Sequence, residues 1–323
     1  MKILTTFFSV LTIFTNLIYS QLPLNHTYID NYNYNDYISK YNKTFTYDNL
    51  EIYDKNVKYI NTHNDNNNNS YKLEINKFTD TDNYESIFFK TRKRENIIIF
   101  EDNFIVPFSK DWRKYNAVTN VKNQGNCGSC WSFSTTGSIE GIVSIKTGKL
   151  FNVSEQQLID CSSDYGNHGC YGGLMDNGFK YVINNGGLCS EKDYPYIAEE
   201  GDCQECKPVV KISNYGDIES NNEKILKRAV AQQPVSVAIQ ANVSSFRFYS
   251  NGIYSDPMCG NKLDHGVLLV GYGYDLEYDM DYWIIKNSWG DDWGENGYIR
   301  IKRNTDQEGG MCGVTLQASI PEI

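Results

Sequence analysis

The sequence predicts an α+β protein, a helical half followed by a sheet-rich half, with a separate helical segment ahead of both. Helix-period apolar patterns recur from about Tyr28 to Ala231, and short strand-like runs separated by Gly, Asp and Asn take over from Val235. All nine cysteines fall between Cys127 and Cys312, which marks off the N-terminal third as a part of different character. Helices grouped ahead of strands fit an α+β arrangement, and a cleft between two such halves is a natural binding site.

The elements follow in order. Residues 1–20 carry Lys2, a short apolar run from Ile3 to Phe14 and small Ser20, which reads as a secretory signal rather than a membrane span. No later stretch is apolar for long enough to cross a bilayer, so no membrane anchor is expected. A chain entering an oxidising compartment makes disulfides the default state of its cysteines. Helical patterns are expected near Tyr28–Tyr41 and Tyr47–His63, with Asn64–Asn69 as a low-complexity loop. Thr91-Arg-Lys-Arg-Glu95, and the stretch on to Asp102, read as an exposed linker.

A buried helix is expected to begin near Ser129 or Cys130, because Trp131, Phe133, Ile139, Ile142 and Val143 recur at helical spacing. Ser154-Glu-Gln-Gln157 is a capping-box pattern opening a short helix. Met175–Ile183 reads as a helix ending at Asn184-Asn-Gly-Gly187, and Ser220–Ala231 as another, stopped before Pro234. Val235–Gln240, Gly266–Tyr272, Tyr282–Lys286 and Tyr298–Arg303 read as strands.

The composition narrows the function. A net charge of −10 with no basic stripe argues against a nucleic-acid partner. An odd cysteine count in a secreted chain points to a free, reactive thiol or to an intermolecular bond. Cys130 is the candidate thiol. At a helix N-terminus it would face free backbone N–H groups and the positive end of the macrodipole, which favour thiolate over thiol. Cys127 and Cys130 could instead form a structural disulfide, a redox pair or half of a zinc site. The other CxxC, Cys203/Cys206, is separated from that pair by 72 residues, far from zinc-ribbon spacing, so no metal and no cofactor is expected.

A cysteine nucleophile needs a base and a group to orient that base. The chain has four histidines. His26 and His63 lie in the N-terminal segment and His168 sits in a glycine-flanked turn. His265 remains, at the start of an apolar strand in Lys262-Leu-Asp-His-Gly-Val267. Asn287, in Lys286-Asn-Ser-Trp-Gly290, can orient the ring by accepting its N–H without adding a full negative charge. Trp289 could shield that bond from water. Asp264, next to the base, is expected to have a secondary role.

The word Cys127-Gly-Ser-Cys-Trp131 matches the nucleophile signature of papain and cathepsin peptidases, and His265 follows Cys130 at a spacing typical of that group. The chain therefore resembles papain-like cysteine peptidases of the cathepsin L type. The resemblance implies a two-lobed fold, a helical lobe beside an antiparallel, barrel-like sheet lobe, preceded by a helical inhibitory propeptide. Tyr53, Asn56, Ile60 and Asn64 fall at the spacing of the back half of the family's interspersed propeptide motif. Tyr53 stands where Phe is usual, and Phe45 and Asn49 stand where Glu and Arg would be. Asn76, Phe78 and Asp80 resemble the second propeptide motif, with Glu74 in place of its Gly. Pro107 and Asp111-Trp112-Arg113 resemble the start of mature enzymes. The expected organisation is a signal peptide over 1–20, an inhibitory propeptide over 21–105 lying across the active site, and a peptidase domain over 106–323.

By the same resemblance, Gln124 and the backbone N–H of Cys130 form an oxyanion hole, and Cys130, His265 and Asn287 are the catalytic group. Gly172 and Gly173 bind the substrate backbone, where glycine permits close approach. Leu174, Met175, Ala238 and Leu263 line an apolar pocket, Trp289 lies beside the site, and Gln317 forms the pocket floor. Cys127 pairs with Cys170, Cys161 with Cys203 and Cys259 with Cys312, which leaves Cys189 with Cys206. The implied reaction is peptide-bond hydrolysis through a thioester by a secreted or lysosomal zymogen acting as a monomer on protein or peptide substrates. Asn25, Asn42, Asn68, Asn152 and Asn242 each open a glycosylation sequon.

Overall fold

The computed structural model describes residues 34–82, 96–100 and 104–323. The expected signal peptide, Asn25 and the linker at Thr91–Glu95 lie outside the described residues. Contacts divide the chain into two units, one ending at Leu50 and the other running Glu51–Ile323.

In the first unit, helix α1 (Tyr34–Tyr41) carries its aromatic residues on one side. Tyr34 stacks on Tyr37 at 5.8 Å, and Phe45 packs on Tyr34 at the same centroid distance. Asn42, in a left-handed conformation, ends the helix. Helix α2 (Tyr47–Asp65) begins behind Thr46, whose Oγ1 accepts from Asn49 N at 3.0 Å.

In the second unit, α2 buries Tyr53, Asn56 and Ile60, three of the motif positions, on one face. Their spacing explains the motif, and its asparagines act as cross-links. Asn56 Nδ2 donates to Thr79 O at 2.9 Å, and Asn64 exchanges a pair of hydrogen bonds with the backbone of Leu73. Those bonds draw the helix two residues past the expected loop boundary, to Asp65, and fix strand β1 (Tyr71–Leu73) beside it.

The strands join in the order β1-β5-β8-β7-β6-β4-β9-β3, with β2 (Lys110–Asp111) added on β6. They are β3 (Asn214–Asp217), β4 (Val235–Ile239), β5 (Tyr249–Tyr254), β6 (His265–Asp275), β7 (Met280–Lys286), β8 (Tyr298–Lys302) and β9 (Gln317–Glu322). Four of these match expected strands within a few residues. β3, β5 and β9 carry no clean alternation of their own and depend on neighbours. β5 pairs antiparallel with β1, for example, and β9 lies between β3 and β4.

Helix α3 (Cys130–Thr147) is buried on every side through Ser144. It lies against β6, and two glycines permit the approach. A Cβ on Gly137 would sit 2.7 Å from Leu268 Cδ2, and one on Gly266 would sit 3.1 Å from Trp131 Cα. One hydrophobic core collects α3 with α4 (Glu155–Cys161) and α5 (Met175–Asn184). A second core fills the sheet-rich half, around Trp283, Trp293, Phe246 and Tyr249. The expected division into a helical and a sheet-rich half is therefore matched by two large cores, beside which Leu268, Val270 and Ile284 form a small third cluster.

Two local expectations change. Ser154 does cap α4, accepting from Gln157 N at 3.0 Å, but the Gln157 amide does not reach back to complete the box. It bonds Tyr181 Oη and Cys189 N instead, because packing brings those buried partners closer. Helix α6 (Glu223–Gln232) begins three residues later than the Ser220 start, where Asn222 Oδ1 accepts from Ile225 N. No helix among the described residues is long and apolar enough to cross a membrane.

Candidate active site

Cys130 opens α3 and is 6% exposed; His265 opens β6 and is 1% exposed. The start of the longest helix of the helical half thus meets the start of the longest strand. Cys130 Sγ accepts from Gly266 N at 3.3 Å. No hydrogen bond joins the sulfur to the His265 ring among the described residues. The ring is fixed from its other side. His265 Nε2 lies 2.7 Å from Asn287 Oδ1, and since an amide oxygen only accepts, Nε2 carries the proton. Asn287 Oδ1 also accepts from Ser288 N at 2.8 Å, which sets the amide's orientation. Trp289 stacks on the imidazole with centroids 4.8 Å apart and is itself walled in by Phe246 and Trp293, so the His265–Asn287 bond is kept from water.

The expectation of an ionised thiol does not hold in this arrangement. Burial pushes the Cys130 thiol up to about 11, outweighing the backbone N–H groups of Gly266 and Trp131 that favour thiolate. Burial likewise lowers His265 to about 4, against the raising effect of its bond to Asn287. The helix N-terminus does act in the expected direction, but desolvation is larger. Asp264 turns away from the ring, accepting from Ala241 N at 2.7 Å, and burial raises its carboxyl to about 6.

Gln124 is buried and held at several points. Its Nε2 donates to Cys127 O at 3.0 Å, its Oε1 accepts from Ser288 Oγ at 2.7 Å, and its backbone N donates to Ser288 O at 2.8 Å. The Ser288 hydroxyl thereby decides which way the amide faces. Sequence reasoning missed Ser288, although it lies inside the Asn-Ser-Trp word that supplied Asn287 and Trp289.

The expected specificity residues gather beside the nucleophile. Met175, Ala238 and Leu263 share a buried core with Cys130, and Leu174 packs against it. Gln317 opens β9 opposite Ala238 and is 5% exposed. Gly172 has φ +112°, a conformation glycine favours. Gly173 has a packing reason as well, since a Cβ there would fall 2.7 Å from the Trp131 ring. His168 is exposed, and its backbone N donates to Gly172 O at 2.8 Å. The disulfides join Cys127–Cys170, Cys161–Cys203, Cys189–Cys206 and Cys259–Cys312, which leaves Cys130 free and removes Cys127 from any redox exchange with it.

Residues 76–82 dock on the same region. Phe78 packs edge-on against Trp289 at 5.0 Å, and Lys77 bonds Trp289 O and pairs with Asp292 at 2.9 Å. Asn76 Nδ2 donates to Arg247 O, and Arg247 in turn donates to Phe78 O and Thr81 O. The propeptide over 21–105 is expected to lie across the active site, and its residues 83–95 lie outside the described residues.

Comparison with known proteins places this geometry in a family. The papain family cysteine protease profile matches residues 106–322, and the cathepsin propeptide inhibitor domain matches residues 34–85. The probable cysteine protease RD21B of Arabidopsis thaliana is 46% identical over 283 residues, which is 84% of this chain. This chain spans only 60% of that relative's length. The cysteine proteinase COT44 of Brassica napus is 42% identical, with 94% of this chain and 95% of the relative covered. Among solved structures, the ragweed pollen allergen Amb a 11, a cysteine protease in its proform, superposes with a TM-score of 0.83 at 36% identity, covering 90% of this chain and 93% of the other. With the profile matched over most of its length and relatives this similar on either side of the nucleophile, the chain belongs to the papain family of cysteine proteases.

Proposed function

We propose that the chain is a cysteine endopeptidase made as a zymogen, hydrolysing peptide bonds through a thioester on Cys130. The observation that carries this reading is the convergence of the one free thiol, Cys130, with the oriented His265–Asn287 pair. In the proposed cycle, His265 takes the Cys130 proton as the sulfur attacks the scissile carbonyl. Gln124 Nε2 and the Cys130 N–H hold the oxyanion, the imidazolium protonates the leaving amine, and the ring then activates water to cleave the thioester. Gln124 Nε2 must turn from Cys127 O, its present acceptor, toward the substrate oxygen.

Gly172 and Gly173 bind the substrate backbone. Leu174, Met175, Ala238 and Leu263 form the pocket for the residue two positions before the cut, and Gln317 at its floor moderates a preference for Leu or Phe. The segment over 21–105 is the inhibitor and is removed near Val106. The chain enters the secretory pathway on residues 1–20, ends in a lysosome-like compartment or outside the cell, and acts as a monomer. Sugars are placed on Asn25, Asn42, Asn68, Asn152 and Asn242, of which Asn42, Asn68 and Asn152 are exposed.

The test is acid activation of the purified precursor, titration with an epoxide or iodoacetamide, mass mapping of the adduct and a peptide-substrate assay. One equivalent on Cys130 with activity lost in proportion is expected, and Cys130→Ser should lower kcat by at least about 10⁴-fold. Absence of both hydrolysis and selective labelling would overturn the reading in favour of a binding protein on the same fold.

A further inference from the structure

Tyr196 lies on the loop that follows α5, outside every motif that marks the active site, yet its hydroxyl reaches into it. Tyr196 Oη donates to the backbone oxygen of Gln124 at 2.7 Å. It also lies 2.8 Å from Ser129 Oγ, the residue capping α3 immediately before Cys130. A carbonyl can only accept, so the phenol proton goes to Gln124, and of the two acceptors near the Ser129 hydroxyl the phenol oxygen at 2.8 Å is closer than Cys127 O at 3.4 Å. The result is a directed chain, Ser129 hydroxyl to Tyr196 hydroxyl to Gln124 carbonyl, in which each bond polarises the next.

We infer that Tyr196 is a positioning residue for peptide hydrolysis, one that fixes the Gln124 side of the oxyanion hole relative to the nucleophile helix; this rests on the proposed cysteine-peptidase reading. Gln124 N and Gln124 Oε1 are both tied to Ser288, in the sheet-rich half. Gln124 O accepts from Tyr196 Oη at 2.7 Å and more distantly, at 3.4 Å, from Cys127 N, both in the helical half. The oxyanion donor is therefore held between the two halves, and Tyr196 gives its backbone carbonyl the shorter of these two bonds on the side that carries Cys130. The tyrosine is itself rigid. Its ring packs edge-on against Phe133 at 4.9 Å, and its backbone N donates to Glu191 Oε1 at 2.9 Å. Its phenol is pushed up to about 12 by burial, so it remains a proton donor across the working pH range.

The geometry makes a selective prediction. Transition-state stabilisation needs the Gln124 amide in place, whereas alkylation of the thiol by a small haloacetamide has no developing acyl oxyanion to bind. In the enzyme activated from its precursor, Tyr196→Phe should lower kcat on a peptide amide about tenfold while KM stays within about twofold. Affinity for a peptide aldehyde, whose hemithioacetal oxygen occupies the oxyanion hole, should fall in step with kcat. The rate of iodoacetamide alkylation at Cys130 should stay within about twofold of the parent. Ser129→Ala keeps the Tyr196–Gln124 bond and should retain kcat to within about threefold.

An unchanged kcat in Tyr196→Phe overturns the assignment. So does a parallel fall in alkylation rate, which would make the tyrosine a brace for the fold rather than for Gln124. A Ser129→Ala loss as large as that of Tyr196→Phe overturns it too, by placing the effect at the helix cap. A parent chain that neither hydrolyses peptide nor alkylates at Cys130 overturns the proposed function and this assignment together. An active parent with an unaffected tyrosine variant overturns the assignment alone.

Discussion

Two buried polar regions on either side of one small cavity of about 20 Å³ hold charge differently. Lys122, Glu140, Glu155 and Lys286 line it on one side; Gly266, Asn287 and Ser288 line it on the other and adjoin Cys130 and His265, which do not. Lys286, bonded to Thr119 Oγ1 rather than to a carboxylate, is lowered by burial to about 8. Lys122 is 3.2 Å from Glu140 and 2.6 Å from Glu155, and Glu140 further accepts from Thr119 Oγ1 and Val153 N. Desolvation acts against the Lys122 charge, but Glu140 and Glu155 more than offset it, so its pKa rises. Glu155, pushed up chiefly by burial and with Oε2 lacking a partner among the described residues, is the group poised to take a proton as the pH falls. Cys130 and His265 are buried to a similar depth with no counter-charge, and both are driven neutral. An interior keeps a charge where opposite charge and hydrogen bonds converge, and suppresses it where they do not. On this reading the helix N-terminus prepares Cys130 for ionisation, and water or substrate access to the site must supply the rest.

The comparison can be broken most directly at Cys130. With burial pushing it from an ordinary 9.0 up to about 11, the thiol of the folded precursor should alkylate at pH 7 about 100-fold more slowly than that of the urea-unfolded chain. Equal rates, followed by mass spectrometry, would show that burial does not govern the nucleophile. The charged cluster comes next. Glu140→Gln leaves Lys122 with one carboxylate fewer in a site where Glu140 is 1% exposed, and should cost about 3 kcal/mol in urea unfolding. A cost near zero would mean that the ion pairs do not hold the cluster.

Asn287→Ala removes the acceptor of His265 Nε2–H without adding or removing charge. It should lower kcat about 30-fold in the activated chain with thermal stability little changed, because an unoriented ring is a poor base. The smallest expected effect is at Glu191, half-buried behind Tyr196. Burial first, and then Glu155 among its neighbours, pushes its carboxyl up to about 7. The folded chain therefore holds a proton that the unfolded chain has already lost at pH 5–6. The stabilisation from that protonated group is full below about pH 4 and is lost as the pH rises through 7. Glu191→Gln should accordingly stabilise the protein at pH 8 by about 1 kcal/mol, discounted for its exposed part, and have no effect at pH 4. Stabilisation that grows toward acid instead would reverse the sign of the argument.

The legible and illegible parts of the molecule separate along the same line. Cys130, His265, Asn287 and Gln124 stand in short local words, because each sits where a helix, a strand or a tight loop begins and its neighbours must be small or aromatic for that junction to form. Gly266 is one such neighbour: nothing larger fits against Trp131. The helices were legible from period, since a buried apolar face writes itself into the sequence at fixed spacing. Strands β3, β5 and β9 were not, because pairing with distant residues holds them where their own alternation is weak. Tyr196 lies 72 residues from Gln124, in a loop with no period and no motif, and nothing in the local sequence marks it.

The sequence by itself determined which groups can do chemistry: one odd cysteine, a histidine at a strand start, an asparagine between a lysine and a serine, and a cysteine-free segment ahead of them. These are matters of residue type and short-range order, and they survive without coordinates. The tertiary structure alone decided the state of those groups. Whether a thiol is ionised, which way a glutamine amide faces, and which distant hydroxyl holds it there depend on desolvation and on hydrogen bonds closed across the fold. Both are properties of the packed interior, fixed only when residues far apart in the chain exclude water from the same small volume.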